Sequence, residues 1–187
     1  MTKNKIKPGF FFAPMPVVIV GAQVNKKPNF MPIAFCNLIE YKPPMLFISS
    51  HQTHYTNSGI KENNSFSVNL PSREMIELTD YIGIKSGRNI DKSNLFEIFY
   101  GDLKNAPMIT QSPINFECKL VKTIDLAIGH EIFVGEIMNL YAEERYLTKG
   151  LPDVEKIKPI VYNNNSYWKL GEFIGKGLSI GRNYKSK

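Results

Sequence analysis

No apolar stretch in this sequence is long enough to cross a bilayer. The nearest approach is FFFAPMPVVIVGA near the N-terminus, which Pro14 and Pro16 interrupt, so neither a spanning helix nor a signal peptide is expected and the reading is a soluble, cytoplasmic protein. Only two cysteines are present, Cys36 and Cys118. They form neither a metal-ligand spacing nor a disulfide framework, which fits free thiols in a reducing compartment. His51 and His54 have the spacing of a one-turn metal pair, but no carboxylate or cysteine accompanies them, so no metal is expected. There is no G-x-G-x-x-G fingerprint, no internal repeat and no low-complexity segment. The lysines and arginines are scattered and build no basic block. The net charge of +6 therefore favours an anionic partner without choosing between a phosphate cofactor and a nucleic acid.

What is present is enough to build a core. Of 187 residues 43% are hydrophobic, and the chain is expected to form one domain over residues 1–187. Pro16 to Val24 is rich in β-branched residues and bounded by proline and by Asn-Lys-Lys-Pro, the pattern of a strand followed by a turn. A second strand, Phe30 to Cys36, contains Pro32, which cannot donate to a ladder and demands an edge or a bulge. Phe66, Val68 and Leu70 alternate with Ser65, Ser67 and Asn69, the period of a strand with one wet face. The period then changes. Ser72 is placed to cap a short amphipathic helix that Gly83 would end, and a second helical pattern, Leu95 to Tyr100, follows the polar loop KSGRNIDKSN. Even-numbered apolar positions from Phe116 to Ile128, Lys122 excepted, read as a long half-buried strand. Gly129-His130 turns the chain into EIFVGEIMNLY, with Gly135 a bulge or a point of close approach. Pro159 to Tyr162 can add a strand before the Asn163–Asn165 turn. Several strands, few helices and no alternating βαβ pattern favour a mainly β, antiparallel barrel.

The stretch with the most chemistry runs from Pro32 to Ile60. A short apolar run, Met45 to Ile48, is followed by eight consecutive side chains able to hydrogen-bond, Ser49 to Thr56, and then by a helix-like segment ending near Asn63-Asn64. A strand that empties into hydroxyls ahead of a helix N-terminus offers a phosphate both side-chain donors and unpaired N–H groups. The alternative is a polar strand end in which Thr53 or Thr56 merely caps the helix.

Four stretches resemble the flavin reductase-like family of FMN-binding split barrels, in its flavoredoxin branch. They are PMPVVIVGA; PIAFCN with KPPMLFISS, HYTNSGI and FSVN; GHEIFVGEI; and YWKLGE, in an order that covers most of the chain. The resemblance implies an antiparallel Greek-key split β-barrel, a homodimer, FMN near the subunit boundary, and redox chemistry with NADH or NADPH or with redox partner proteins. It places Ala34, Phe35, Cys36 and Asn37 beside the flavin ring, and Ser49, Ser50, His54 and Thr56 on the phosphate. It also carries a cofactor contact to Lys92, whose alternative is a solvated loop cation. Where many relatives have a compact Ser-Arg-Asp-Lys this chain has NIDK, which leaves the register of Arg88 open. Tyr167 and Trp168 are placed at the border of the pocket, although such aromatics also serve cores and interfaces. His130 is placed at the open face of the flavin as the catalytic candidate. Cys36 reads as a small packed side chain, since a reactive thiol wants a cation or a helix N-terminus beside it. Two functions follow, an NAD(P)H-dependent flavin oxidoreductase and an electron carrier without its own nicotinamide site. A basic β-barrel binding nucleic acid is the distant third, because the aromatics fall mostly at strand-core positions.

Overall fold

The computed structural model describes residues 2–9, 12–182 and 184–185. Seven strands form the main sheet: β1 (Val18–Val24), β2 (Lys27–Ile33), β3 (Cys36–Tyr41), β4 (Pro44–His51), β5 (Ser65–Leu70), β6 (Ile114–Asp125) and β7 (His130–Ala142). Their spatial order is β2-β1-β5-β6-β7-β4-β3, with every neighbour antiparallel. Strands β4 to β7 thereby take a Greek-key arrangement, β4 lying beside β7. The two edge strands are consecutive in the chain, joined only by Ala34 and Phe35. Laid flat, six strand spacings would separate them by about 29 Å, whereas the link from Ile33 to Cys36 spans at most about 11 Å. The sheet must therefore roll up, and the barrel is split where β2 meets β3.

Local chemistry explains the elements. Asn25 and Lys26, at φ 51° and 65°, make the left-handed pair that a tight hairpin between β1 and β2 requires. Pro28 and Pro32 both sit on edge strand β2, where their missing donors cost no ladder bond. β1 is buried on both faces. Val18 and Val20 join Ile48, Phe66 and Phe133 inside the barrel, and Ile19 packs outward with Phe30, Ile82, Phe96 and Ile109. The register of β6 against β7 shifts between Val134 and Gly135, and a Cβ on Gly135 would lie 2.6 Å from Phe66 Cζ; both readings of that glycine hold.

Helix α1 (Tyr55–Asn63) ends on Asn64 in the left-handed region, and its N-cap is His54 without a side-chain cap bond, so neither Thr53 nor Thr56 caps it. Helix α2 (Ile76–Ile84) is preceded by a 3-10 turn, Arg73–Met75, and Ser72 makes no capping bond. Gly83 does not end α2. A Cβ there would approach Pro32 Cγ to 2.9 Å, so the glycine lets the helix lie against β2. The helical pattern from Leu95 to Tyr100 is also overturned: Ser93–Leu95 is a 3-10 turn and Ile98–Phe99 a short strand paired with Met108–Ile109.

A smaller sheet completes the site. The expected strand from Pro16 is broken at Val17, and Met15–Pro16 pairs instead with β8 (Ile160–Asn163), which turns through Asn164 and Asn165 into β9 (Ser166–Lys169). A short helix, α3 (Val154–Ile157), precedes it, capped by the Asp153 carboxylate. Among the described residues no helix is long and apolar enough to cross a membrane; Phe10 and Phe11 of the N-terminal apolar run lie outside them.

Candidate functional site

Two clefts meet at the end of β4. The larger, of about 630 Å³, lies between the barrel seam and the small sheet. One wall is Pro32 to Phe35 with Ser49 and His51; the other is Met15, Val17, Tyr162 and Tyr167. The second wall exists because Met15–Pro16 leaves the main sheet to pair with β8, carrying the two tyrosines across from the seam. Their rings meet edge-on with centroids 5.6 Å apart, and Tyr167 donates its hydroxyl to Asp80 Oδ1 at 2.8 Å. Burial first, and Asp80 second, push that phenol well above its ordinary pKa, so a neutral phenol stands at the wall. His130 closes the mouth as the first residue of β7, rather than in the turn before it.

The smaller cleft, of about 420 Å³, adjoins the larger at Pro32 and His54, which line both. It combines the N-terminus of α1 with the loop after α2, and Lys85, Arg88 and Lys92 all line it. Arg88 donates from Nη1 to the Thr53 carbonyl at 2.9 Å and lies over the Tyr55 ring at 5.3 Å, which places a guanidinium at the positive end of the helix. Gly87 permits this approach, since a Cβ there would fall 2.0 Å from Asn29 Oδ1. Lys92 is only 3% exposed and donates to the carbonyls of Phe30 at 2.9 Å and Ile82 at 2.7 Å. Burial lowers its ammonium to about 8. It is a buried tie between β2 and α2 that also faces the cleft, not a solvated loop cation. Thr56, 1% exposed, lines the same cleft and accepts from Asn29 Nδ2 at 2.7 Å.

Of the residues singled out from sequence, Ala34, Phe35, Ser49, His54, His130 and Tyr167 line the larger cleft. His54, Thr56 and Lys92 line the smaller one. Cys36, Asn37, Ser50 and Trp168 line neither. Strand alternation is the reason for Ser50: Leu46, Ile48 and Ser50 point into the barrel, while Ser49 and His51 face the cleft. Cys36 packs in the core with its thiol pushed up to about 12 by burial. Asn37 is exposed and turns its Oδ1 onto the Leu38 N–H at 2.8 Å. Trp168 pairs with Val161 in the small sheet and stays 59% exposed. Sequence reasoning missed Pro32, His51 and Tyr162 as cleft residues and left Arg88 unassigned. Only Arg88 carried a usable signal, a guanidinium one residue after a loop glycine.

The arrangement suits one kind of guest. The larger cleft is of the size that takes a cofactor-sized ring and is walled by proline, alanine and aromatic side chains; the Ala34-Phe35 link presents main chain between two ladders. The smaller cleft offers a helix N-terminus and three cations to an anionic tail. A phosphorylated planar ligand fits both at once, and among the described residues no group of three or more His, Cys, Asp or Glu is placed to hold a metal.

Fold and site thus define an FMN-binding split-barrel flavoprotein. The chain matches the family model described as Flavin reductase like domain over residues 11–171, and it belongs to the flavin reductase-like family. The crystal structure of flavoredoxin from Methanosarcina acetivorans is 44% identical and superposes with a TM-score of 0.94, covering 97% of this chain and 98% of that one. Flavoredoxin of Desulfovibrio vulgaris is 31% identical with a TM-score of 0.90, over 97% and 100% of the two chains. An uncharacterized protein of Archaeoglobus fulgidus is 28% identical over 131 residues, 69% of this chain and 73% of that one.

Proposed function

We propose that the protein is a homodimeric, cytoplasmic oxidoreductase that takes reducing equivalents from NADH or NADPH and delivers them to free flavin or another acceptor. The observation that carries this reading is the pair of joined clefts, one apolar and aromatic, the other cationic at a helix N-terminus. Bound FMN supplies the redox chemistry, and the protein supplies binding, orientation and electrostatics. Ala34 and Phe35 present main chain to one edge of the ring, Arg88 and the α1 N-terminus hold the phosphate, and Thr56 and Lys92 line its pocket. Tyr162 and Tyr167 form the wall across from the seam. His130, half-buried at the mouth, is positioned to hydrogen-bond an incoming nicotinamide carboxamide or to stabilise negative charge.

A second subunit is supported by apolar side chains left exposed on three strands of the sheet: Leu38 and Ile39 of β3, Val121 of β6, and Met138 and Leu140 of β7. The cytoplasmic placement rests on Cys36 and Cys118, both free and buried. Anaerobic addition of NADH and NADPH to the yellow protein, followed at the flavin absorbance, tests the reading: bleaching supports it. Two solved relatives bear the name flavoredoxin, which favours a second reading, an electron carrier reduced by a partner protein. A yellow protein that neither nucleotide bleaches supports that one. A colourless protein that cannot be reconstituted with FMN overturns both.

A further inference from the structure

A hydrogen-bond chain beneath the clefts determines which nitrogen of His54 carries its proton. Ser50, Asn57 and Glu131 are 1%, 2% and 3% exposed. Asn57 donates from Nδ2 to the His51 carbonyl at 3.0 Å and to Glu131 Oε1 at 2.9 Å. Neither partner can be a donor, because the first is a backbone carbonyl and the second is a carboxylate whose Oε2 meets Lys61 Nζ at 2.5 Å. The Asn57 amide is therefore oriented with Oδ1 toward Ser50. Ser50 Oγ lies 2.8 Å from that oxygen and must give it its one proton. The same hydroxyl lies 2.9 Å from His54 Nδ1, so it can only accept there, and Nδ1 is the protonated nitrogen. Burial, then the neighbouring His51 and His130, then Lys92 and Arg88, hold the His54 pKa below its ordinary value. The neutral ring so favoured leaves a bare lone pair on Nε2.

We infer that His54 is a hydrogen-bond acceptor for the hydroxylated chain linking the ring and phosphate of the flavin nucleotide, held in that role by Ser50, Asn57 and Glu131, and is not a phosphate ligand. The inference rests on FMN occupying both clefts. His54 lines both the ring-sized cleft and the cationic one, so it stands where the linker must pass. A phosphate dianion has no proton to give to a lone pair, and the carbonyl edges of the ring accept rather than donate. The linker hydroxyls donate. Ser50, expected from sequence on the phosphate, becomes a positioning residue one bond behind the ligand.

The test compares three ligands and two nitrogens. FMN, riboflavin and lumiflavin share the ring; lumiflavin lacks the hydroxylated chain and riboflavin lacks the phosphate. Titrations by flavin fluorescence with His54→Leu are expected to lose about tenfold in affinity for FMN and riboflavin alike and nothing for lumiflavin. Loss for FMN alone would make His54 a phosphate ligand, and an equal loss for all three would make it a ring contact; either result overturns the inference. If the unaltered protein binds none of the three, the cofactor reading itself fails, a distinguishable outcome that takes the inference with it. Independently of binding, long-range 15N–1H spectra of the histidine-labelled apoprotein at mildly alkaline pH should give the Nδ1–H form for His54, assigned by its disappearance in His54→Leu. Ser50→Ala should shift that signal toward Nε2–H and weaken riboflavin binding. A parent protein already in the Nε2–H form would overturn the relay.

Discussion

His130 and His51 stand directly opposite one another on β7 and β4, with their rings edge-on and centroids 5.3 Å apart. Phe35 approaches His130 from the barrel seam at 6.1 Å, also edge-on. Three segments far apart in sequence thus meet at the mouth of the larger cleft. On the proposed function, His130 is the member of this group that would touch a substrate above the bound cofactor. His130→Ala is expected to retain FMN but to slow flavin reduction by NAD(P)H about tenfold, a barrier change of about 1.4 kcal/mol. Stopped-flow bleaching measures this directly; unchanged kinetics would remove His130 from the reaction, and loss of bound FMN would make it a cofactor ligand.

Arg88 gives a contrast with His54. Its guanidinium sits at the α1 N-terminus through the Thr53 carbonyl, where only the phosphate would use it. Arg88→Ala should weaken FMN about tenfold, leave riboflavin unchanged, and flatten the salt dependence of FMN binding, since an exposed charge is screened. Parallel losses for the two flavins would assign Arg88 to the ring or the loop fold.

Thr56 is tied to stability as well as to the cleft. Its hydroxyl accepts from a 5%-exposed Asn29, so Thr56→Val strands a buried donor and should cost about 1–3 kcal/mol in urea unfolding of the apoprotein. FMN affinity should fall with riboflavin affinity retained. A variant as stable as the parent would mean that Asn29 finds another acceptor.

Lys92 predicts a pH dependence with a defined sign. Its folded-state pKa of about 8 lies below its ordinary 10.5, so between those values the unfolded chain holds more protons than the native one. Stability contributed by this site therefore rises with pH across about 8 to 10.5. The neutral amine still has two N–H groups for the carbonyls of Phe30 and Ile82. The urea stability of the parent minus that of Lys92→Met, measured at pH 7.5, 9 and 10, should increase along the series; a constant difference would place the ammonium in contact with water.

Both thiols should be inert in the native protein. Cys36 is raised to about 12 and Cys118 well above its ordinary value, in each case chiefly by burial. A chromogenic disulfide reagent at neutral pH should label neither until denaturant is added, when both should react. Prompt labelling of Cys36 would mean that the seam between β2 and β3 opens.

The sequence by itself determined the class of fold. β-branched runs, proline at an edge and Asn-rich turns are local properties, and they specify an antiparallel sheet because period and turn geometry act within a few residues. The motifs that resemble the family were equally local, and they carried the cofactor. Which side chains converge was decided only by tertiary structure. Ser49 and Ser50 look equivalent in the chain, yet the pleat of β4 sends one to the cleft and the other into the barrel. Gly83 reads as a stop signal, but Pro32 of strand β2, packed against the helix, is what requires it. The Met15–Pro16 switch to β8 brings Tyr162 and Tyr167 over the seam, and the β4–β7 register brings His51 to His130. Each of these depends on which strands become neighbours, and that follows from closing the barrel over one core rather than from any short stretch of residues.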